Sequence, residues 1–472
     1  MGKLNALIAR RYMMAAWLIV GLWFIFCIAT LDYNGPFFDE GIYITAGQRG
    51  LQGYAASDNY LSWFAGSMLW PTFAALGYNA GGLIGARAVA TIFATIAFIA
   101  TVLATCNLFG QAVAFWTALT LALSGPFLAL ARLAVYDPPA LAGIAVSFWA
   151  ITMLHKRDHR AWLLLAALAY VFALFSKYPI GLMLLSLIGL MLALRRGKAV
   201  MDIALFGFTA VAVLLIFYIP LRAPLSQLGT RLAPQEILRQ PSLVLTSSVL
   251  YFGGLPFVLA FLGWLVAKER RLLATVLLLS LALWLVYHLW QAFVVGLSKH
   301  VVFGFLFGYP LIGLGLSTLW QRGRHLGAII AICSALTMVG VIQWQQLDHI
   351  WPDVRTAAAY LTTHVQPGDK LLINDSWPYT MYLYMTGRIR QPQDVIDIYG
   401  REEAGMGLCD YHWFVESEYT PQWPPGVLKE LRQCGSFRKV FSTPSTVSVL
   451  NFSFDYVTAP VGIVIWRNHL RE

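Results

Sequence analysis

Two acidic motifs and a handful of cations, set among long apolar runs, are the parts of this sequence able to do chemistry. Asp39 and Glu40 are adjacent in Phe37-Phe38-Asp39-Glu40-Gly41-Ile42-Tyr43. Neighbouring carboxylates repel, and partial removal from water raises the pKa of one or both. A carboxylate poised that way accepts a proton from an attacking hydroxyl. The structural alternative is that Asp39 caps a helix starting at Glu40, a role worth about 0.5–2 kcal/mol. The second motif is Ala131-Arg132-Leu133-Ala134-Val135-Tyr136-Asp137-Pro138-Pro139. Asp137 followed by Pro138 has the pattern of a helix start, with Asp at the N-cap and Pro at the first helical position. The helix dipole keeps such an Asp ionised. With Tyr136 beside it, Asp137 then suits holding a cation, a divalent metal or a sugar hydroxyl; capping alone is again the alternative.

The cations come next. Lys177 lies in Phe175-Ser176-Lys177-Tyr178-Pro179, Arg87 about a turn inside an apolar run, and Arg132 just ahead of Asp137. Lys299 and His300 open another apolar run, and Arg222, Arg231 and Arg239 fall between two more. Such side chains either extend along apolar surface to reach lipid headgroups or hold a phosphate, for which Lys and Arg are the natural partners. His300 beside Lys299 fits a hydrogen-bonding or phosphate-contacting group better than a metal ligand. Nine His occur in all, and no Cys pair stands at zinc spacing to complete a site with any of them.

The elements that must position these residues are hydrophobic helices. A bilayer core takes about 20 apolar residues to cross. On that template about eleven spans are expected, centred on 17–30, 87–104, 113–128, 141–154, 162–175, 180–194, 203–220, 244–266, 273–293, 301–319 and 326–343. Lys and Arg gather in short cytoplasmic loops. An N-terminus inside places Lys3, Arg10, Arg11, Lys156, Arg157, Arg195, Arg196, Lys198, Arg270 and Arg271 inside. Asp39, Asp137, Lys177 and Lys299 then lie at the outer boundary. The first external loop, 31–79, is long enough for two interfacial amphipathic helices, at 40–51 and 60–76. The first span has no small-residue cleavage site after it and is expected to be retained.

The chain has 472 residues, 58% hydrophobic and 12% charged, with 33 Lys+Arg against 23 Asp+Glu. A soluble domain carries about 25% charged residues, so an ordinary cytosolic globule and a disordered chain are both excluded. The net charge of +10 follows loop topology and points to no nucleic acid. From 348 the composition turns polar, with turn signals at Gln366-Pro367-Gly368-Asp369 and Pro424-Pro425-Gly426. Helices are expected at 354–364, 379–385 and 427–433, and strands at 370–374, 411–415, 438–441, 447–452 and 463–467. The chain thus divides into a membrane domain, 1–347, and a soluble external α/β domain, 348–472. Cys27, Cys106 and Cys333 fall in apolar runs as small buried hydrophobes. Cys409 and Cys434 both fall in the external domain, where a disulfide can form; two buried thiols are the alternative. The sequence has no P-loop, no dinucleotide-binding glycine motif, no nucleophile elbow and no C-x-x-C. An ATP-driven pump and a serine hydrolase are therefore disfavoured. Gly253-Gly254 and Pro256 break a helix as transporters do, but no second half repeats the feature.

Taken together, these residues resemble the GT-C superfamily of integral-membrane glycosyltransferases, within it the protein O-mannosyltransferase-like and aminoarabinose-transferase-like group. Phe38 to Tyr43 resembles that group's first-loop Asp-Glu signature, and Arg132 to Asp137 its second acidic motif. Phe175-Ser176-Lys177 is similar to its Ser/Thr-Lys-Gly segment, with Tyr178 where the group has Gly. Lys299 and Tyr309-Pro310 match a basic residue followed by a Tyr-x-x-Pro-type helix start. The resemblance implies a polytopic α-helical membrane enzyme with a C-terminal external α/β domain, multi-pass in a bacterial inner membrane. It implies transfer of a sugar from a polyprenyl-phosphate donor to an acceptor hydroxyl on the external face, with inversion. By position, Asp39 becomes the general base and Glu40 its tuning partner. Asp137 and Tyr136 hold the acceptor or a divalent ion such as Mg or Mn, and Lys177, Arg87, Lys299, His300 and Arg132 meet the donor phosphate. The acceptor is a lipid, a polysaccharide or a protein hydroxyl. A polysaccharide ligase or polymerase and a lipid-linked-sugar flippase are the rival classes.

Overall fold

The computed structural model describes residues 2–54, 67–226, 252–292, 296–323, 325–397, 405–416, 430, 433–443 and 462–471. The expected segments 427–433 and 447–452, the first part of 60–76, and Arg231 and Arg239 lie wholly or largely outside them. The chain forms two compact units. The first comprises residues 1–31, 56–70 and 87–344. The second comprises residues 32–55, 71–86 and 345–472, so parts of the first loop belong with the C-terminal sheet.

Apolar helices make the first unit. In chain order they are α1 (Gly2–Ala29), then, after α2 of the second unit (Phe38–Leu51), α3 (Leu69–Phe109), α4 (Gln111–Ala122), α5 (Gly125–Ala131), α6 (Asp137–Arg157) and α7 (Ala161–Ser176). There follow α8 (Leu184–Arg195), α9 (Ala199–Ser226), α10 (Gly254–Val266), α11 (Arg271–Gln291), α12 (Leu297–Gln321) and α13 (Leu326–Asp348). Every expected span has its helix, but the expected eleven are not all long enough to cross a membrane. Among the described residues seven helices are long and apolar enough, or eight if α4 and α5, bent 72° apart, count as one. The α7 and α10 helices fall short, and 178–216 forms one apolar stretch. Leu18, Leu22, Ile25, Phe208 and Trp290 remain exposed, as side chains facing lipid do. By contrast α12 is buried almost throughout from Val301 to Gly313 and packs on α4, α10 and α11. Small residues permit that closeness: a Cβ on Gly304 would lie 2.7 Å from the Leu281 carbonyl oxygen.

The α3 helix breaks at Gly81-Gly82, where Gly82 has φ 62° and ψ −150°, a conformation open essentially to glycine. The second interfacial helix expected in the first loop is therefore, in its described part, the leading arm of α3.

The second unit is built on a five-stranded sheet, order β2-β1-β3-β5-β4. Its strands are β1 (Leu371–Ile373), β2 (Val395–Asp397), β3 (Trp413–Glu416), β4 (Phe437–Ser442) and β5 (Val464–Asn468). β1 is parallel to β2 and β3, while β5 runs antiparallel to β3 and β4. Alternation sorts the strand side chains by face. Leu371, Ile373, Trp413, Val415 and Ile465 pack with α14 (Arg355–His364) and α15 (Ser376–Met385). Leu372 and Phe414 join Leu408 and Tyr411 on the other face. β2 escapes the sequence reading because three residues carry too little alternation to register. Cys409 and Cys434 form a disulfide with Cα atoms 5.6 Å apart. Asn34 ties residues 32–37 to this unit, donating to the carbonyls of Asp348 and Trp351 at 3.0 Å each.

Candidate active site

In the second unit, α2 presents the first acidic motif. Its N-cap is Phe37 in an extended conformation, so the helix starts at Phe38, ahead of the expected Glu40. Capping falls to Glu40, whose Oε2 accepts the Phe37 N–H at 2.8 Å while the residue is fully buried. Asp39 is thereby released from the capping role the sequence had allowed it. It sits half-buried in the first turn, where the helix N-terminus favours a carboxylate.

Gly41 lets α2 approach α15 closely, since a Cβ there would lie 2.6 Å from the Trp377 carbonyl carbon and oxygen. That contact brings in a carboxyl the sequence reading missed. Asp375 precedes α15 in the left-handed conformation, φ 61° and ψ 58°, and is buried. Burial first, and the charges of Asp397 and Asp39 after it, push its carboxyl well above the usual carboxylate range. Asp397 also accepts the Ser376 N–H at 3.3 Å. The only sequence signal for this group is the turn-forming Asn374-Asp375-Ser376, hundreds of residues from Asp39.

In the first unit the second acidic motif meets the cations. Tyr136 takes the N-cap position of α6 and Asp137 is the first helical residue, with no side-chain cap bond. Asp137 therefore does something other than cap. Its Oδ1 accepts from Lys177 Nζ in an ion pair whose two side chains are almost completely buried. Its Oδ2 is buried with no hydrogen-bond partner among the described residues. A buried acceptor left open is costly, so this oxygen is ready for a hydroxyl donor from outside the chain. The Lys177 ammonium also lies 4.8 Å from the Tyr136 ring and 5.7 Å from the Phe303 ring.

Lys177 reaches this place because α7 ends at Ser176 and Lys177 turns extended, φ −153° and ψ 105°, before a 3-10 turn over Tyr178–Met183. Tyr178 has a negative φ, so the backbone here makes no conformational demand for Gly. One turn before Phe303 on α12 stands His300, half-buried, whose Nδ1 lies 2.8 Å from Nε2 of His288 on α11. The Trp284 ring stacks beside His300 at 4.5 Å and donates its N–H to Met183 sulfur at 3.1 Å. Lys299 is the neighbouring cation on the same turn, and it and Lys177 are among the charges acting on His300. The structure thus brings Tyr136, Asp137, Lys177 and His300 into one neighbourhood. It adds His288, Trp284 and Phe303, which as isolated residues in apolar helices carry no sequence signal.

Arg87 and Arg132 bond the two residues that follow the end of α1. Arg87 is fully buried and donates to the Leu31 carbonyl at 2.8 Å. Arg132 donates to the carbonyl and hydroxyl of Thr30 at 2.9 and 3.0 Å, with its guanidinium 5.1 Å from the Trp344 ring. Cations satisfying the last carbonyls of a helix are a familiar C-terminal device.

Among the described residues no group of three or more His, Cys, Asp or Glu is arranged to hold a metal. The partner of Asp137 is an ammonium in place of a second carboxylate, so no step is routed through a metal.

The fold is similar to that of a solved membrane protein. Over 95% of the chain and 97% of the other, it superposes on ArnT from Cupriavidus metallidurans bound to undecaprenyl phosphate, with TM-score 0.61 and 15% identity. The apo state of the same protein matches with TM-score 0.61 and 14% identity over 96% and 98%. In sequence, the family model for dolichyl-phosphate-mannose-protein mannosyltransferase matches residues 56–221, the stretch that holds Arg87, Arg132, Asp137 and Lys177. No curated protein matches the chain in sequence.

Proposed function

We propose that this protein transfers a sugar from a polyprenyl-phosphate donor to an acceptor hydroxyl, at the outer end of its membrane helices. The observation that carries the reading is the buried Asp137–Lys177 pair with one open carboxylate oxygen, set beside His300 and Lys299 on a GT-C fold. The undecaprenyl phosphate in the ArnT structure suggests the donor class. In the reaction the acceptor oxygen attacks the anomeric carbon and its proton passes to Asp39. The bond from that carbon to the phosphate oxygen breaks on the opposite face, inverting the centre, and the polyprenyl phosphate leaves with the electron pair. Lys177, Lys299 and His300 meet that charge; preorganised donors in a water-poor site are where such stabilisation is greatest. Asp137 Oδ2 and the Tyr136 ring orient a sugar or acceptor hydroxyl. Glu40 holds the turn that carries Asp39, and Arg87 and Arg132 hold the end of α1.

The test uses purified protein and undecaprenyl phosphate. Asp39→Asn should cut sugar transfer by about 10²–10⁴-fold, the usual contribution of a general base, with undecaprenyl phosphate binding intact. Lys177→Ala should instead weaken that binding. Transfer unchanged in Asp39→Asn removes the base assignment; lipid movement across the membrane without transfer by the wild type makes the protein a flippase.

A further inference from the structure

The histidine pair on α11 and α12 has a directional consequence. Each neutral imidazole has one N–H and one bare nitrogen, so in a direct His–His hydrogen bond one ring donates and the other accepts. His288 is fully buried and His300 half-buried, which makes His300 the ring with an accessible edge. Nδ1 of His300 is taken by Nε2 of His288 at 2.8 Å, leaving Nε2 as the His300 nitrogen for a ligand. Lys177 and Lys299 already supply cations in this neighbourhood, and a neutral His300 can meet a phosphate oxygen only by donating an N–H. To donate from Nε2, a neutral His300 must accept at Nδ1, and His288 must donate. Trp284 clamps the arrangement: its ring lies 4.5 Å from His300 and 6.5 Å from His288, and its own N–H is tied to Met183. Gly296, at φ 75°, leaves only a hydrogen where a Cβ would approach the His300 ring to about 3.5 Å.

We propose that His288 is a positioning residue that donates its Nε2–H to His300 Nδ1, fixing His300 in the tautomer that presents Nε2–H to a phosphate oxygen beside Lys177. This rests on the proposed role of Lys177 and His300 at a polyprenyl phosphate. A second ring orienting the group that meets the ligand follows the logic seen around metal-bound and triad histidines.

The experiment measures undecaprenyl phosphate affinity of the full-length protein in detergent, for wild type, His288→Leu, His288→Gln, His288→Asn, His300→Ala and the His288→Leu/His300→Ala double variant. Loss of one hydrogen bond to a charged group should weaken binding about 10-fold or more in His288→Leu. His288→Gln, whose amide N–H reaches as far as Nε2, should restore most of it, and the shorter His288→Asn should not. The double variant should bind like His300→Ala alone, the mark of a residue acting through another. Equal weakening in the two His300 backgrounds, or no rescue by Gln relative to Asn, overturns the positioning role while leaving the donor reading intact. The Gln and Asn comparison stands even if His288→Leu fails to fold. Failure of the wild type to bind undecaprenyl phosphate overturns the donor reading and this inference together.

Discussion

At the residue scale, the acidic dyad Asp39-Glu40 divides its labour. Glu40 accepts the Phe37 N–H, and Asp39 stands beside it in the first turn without capping the helix. Both readings of the motif were available in the sequence, because an Asp-Glu pair at a helix start serves capping and catalysis alike. The position of the first helical residue removes the capping role from Asp39. Asp375 is the opposite case, a functional-looking carboxyl with no motif around it. Its pKa is raised in the folded protein by burial, Asp397 and Asp39, while in the unfolded chain it has the ordinary value near 3.9. Below that value the group is protonated in both states and has no effect. As pH rises from there towards the folded pKa, the unfolded chain releases its proton first, and stability falls. Asp375→Asn keeps a residue tolerant of positive φ and removes the proton. Its thermal midpoint should therefore exceed wild type at neutral pH, on the order of a few degrees, and match it near pH 3. A wild-type advantage at pH 7 would show that the ionised carboxylate is itself stabilising.

At the scale of elements, the decisive contact is the crossing of α2 on α15. Alanine at an exposed helical glycine position adds about 0.5–1 kcal/mol of stability. Gly41→Ala should do the reverse, because its Cβ would meet the Trp377 carbonyl and the Pro378 nitrogen within 3 Å. Main-chain atoms cannot swing aside as a side chain does, so a loss of about 1–3 kcal/mol is expected, read as a lowered thermal midpoint. The Gly in Asp39-Glu40-Gly41 is thus explained by packing on an element more than three hundred residues away. Apolar run length was enough to locate almost every membrane helix, since lipid demands internal hydrogen bonding along the whole run. It could not reveal that α4 and α5 bend 72° apart or that Gly81-Gly82 breaks α3, because bends depend on what packs at the joint.

At the scale of the whole molecule, hydrogen bonds sort the loops of the first unit by end. Arg195 reaches Asp202 at 2.7 Å and also pairs with Asp158, as does Lys198. These partners, Lys198 first, hold the exposed Asp158 carboxyl down at about 2. The loops following α6 and α8 are therefore at one end. The Arg87 and Arg132 bonds to Leu31 and Thr30, and the Lys177 bond to Asp137, gather other loops in the same way. This is the grouping the charge bias predicts. It gives an orientation test: a cysteine replacing Lys198 should react with an impermeant maleimide only from the cytoplasmic face. One replacing the exposed Leu470 should react from outside, and the reverse pattern would invert the proposed topology.

What the sequence by itself determined is what short-range chemistry and the bilayer impose. These are the helices, the α/β character of the tail, and the residue types able to abstract a proton or meet a phosphate. What only the tertiary structure decided is how those residues are partnered. Asp137 pairs with Lys177 and keeps one open oxygen, Arg87 and Arg132 bond to the carbonyls of Leu31 and Thr30, and His288 lies against His300. Each depends on contacts between helices distant in sequence, where one side chain's partner is set by packing and leaves no local pattern to read.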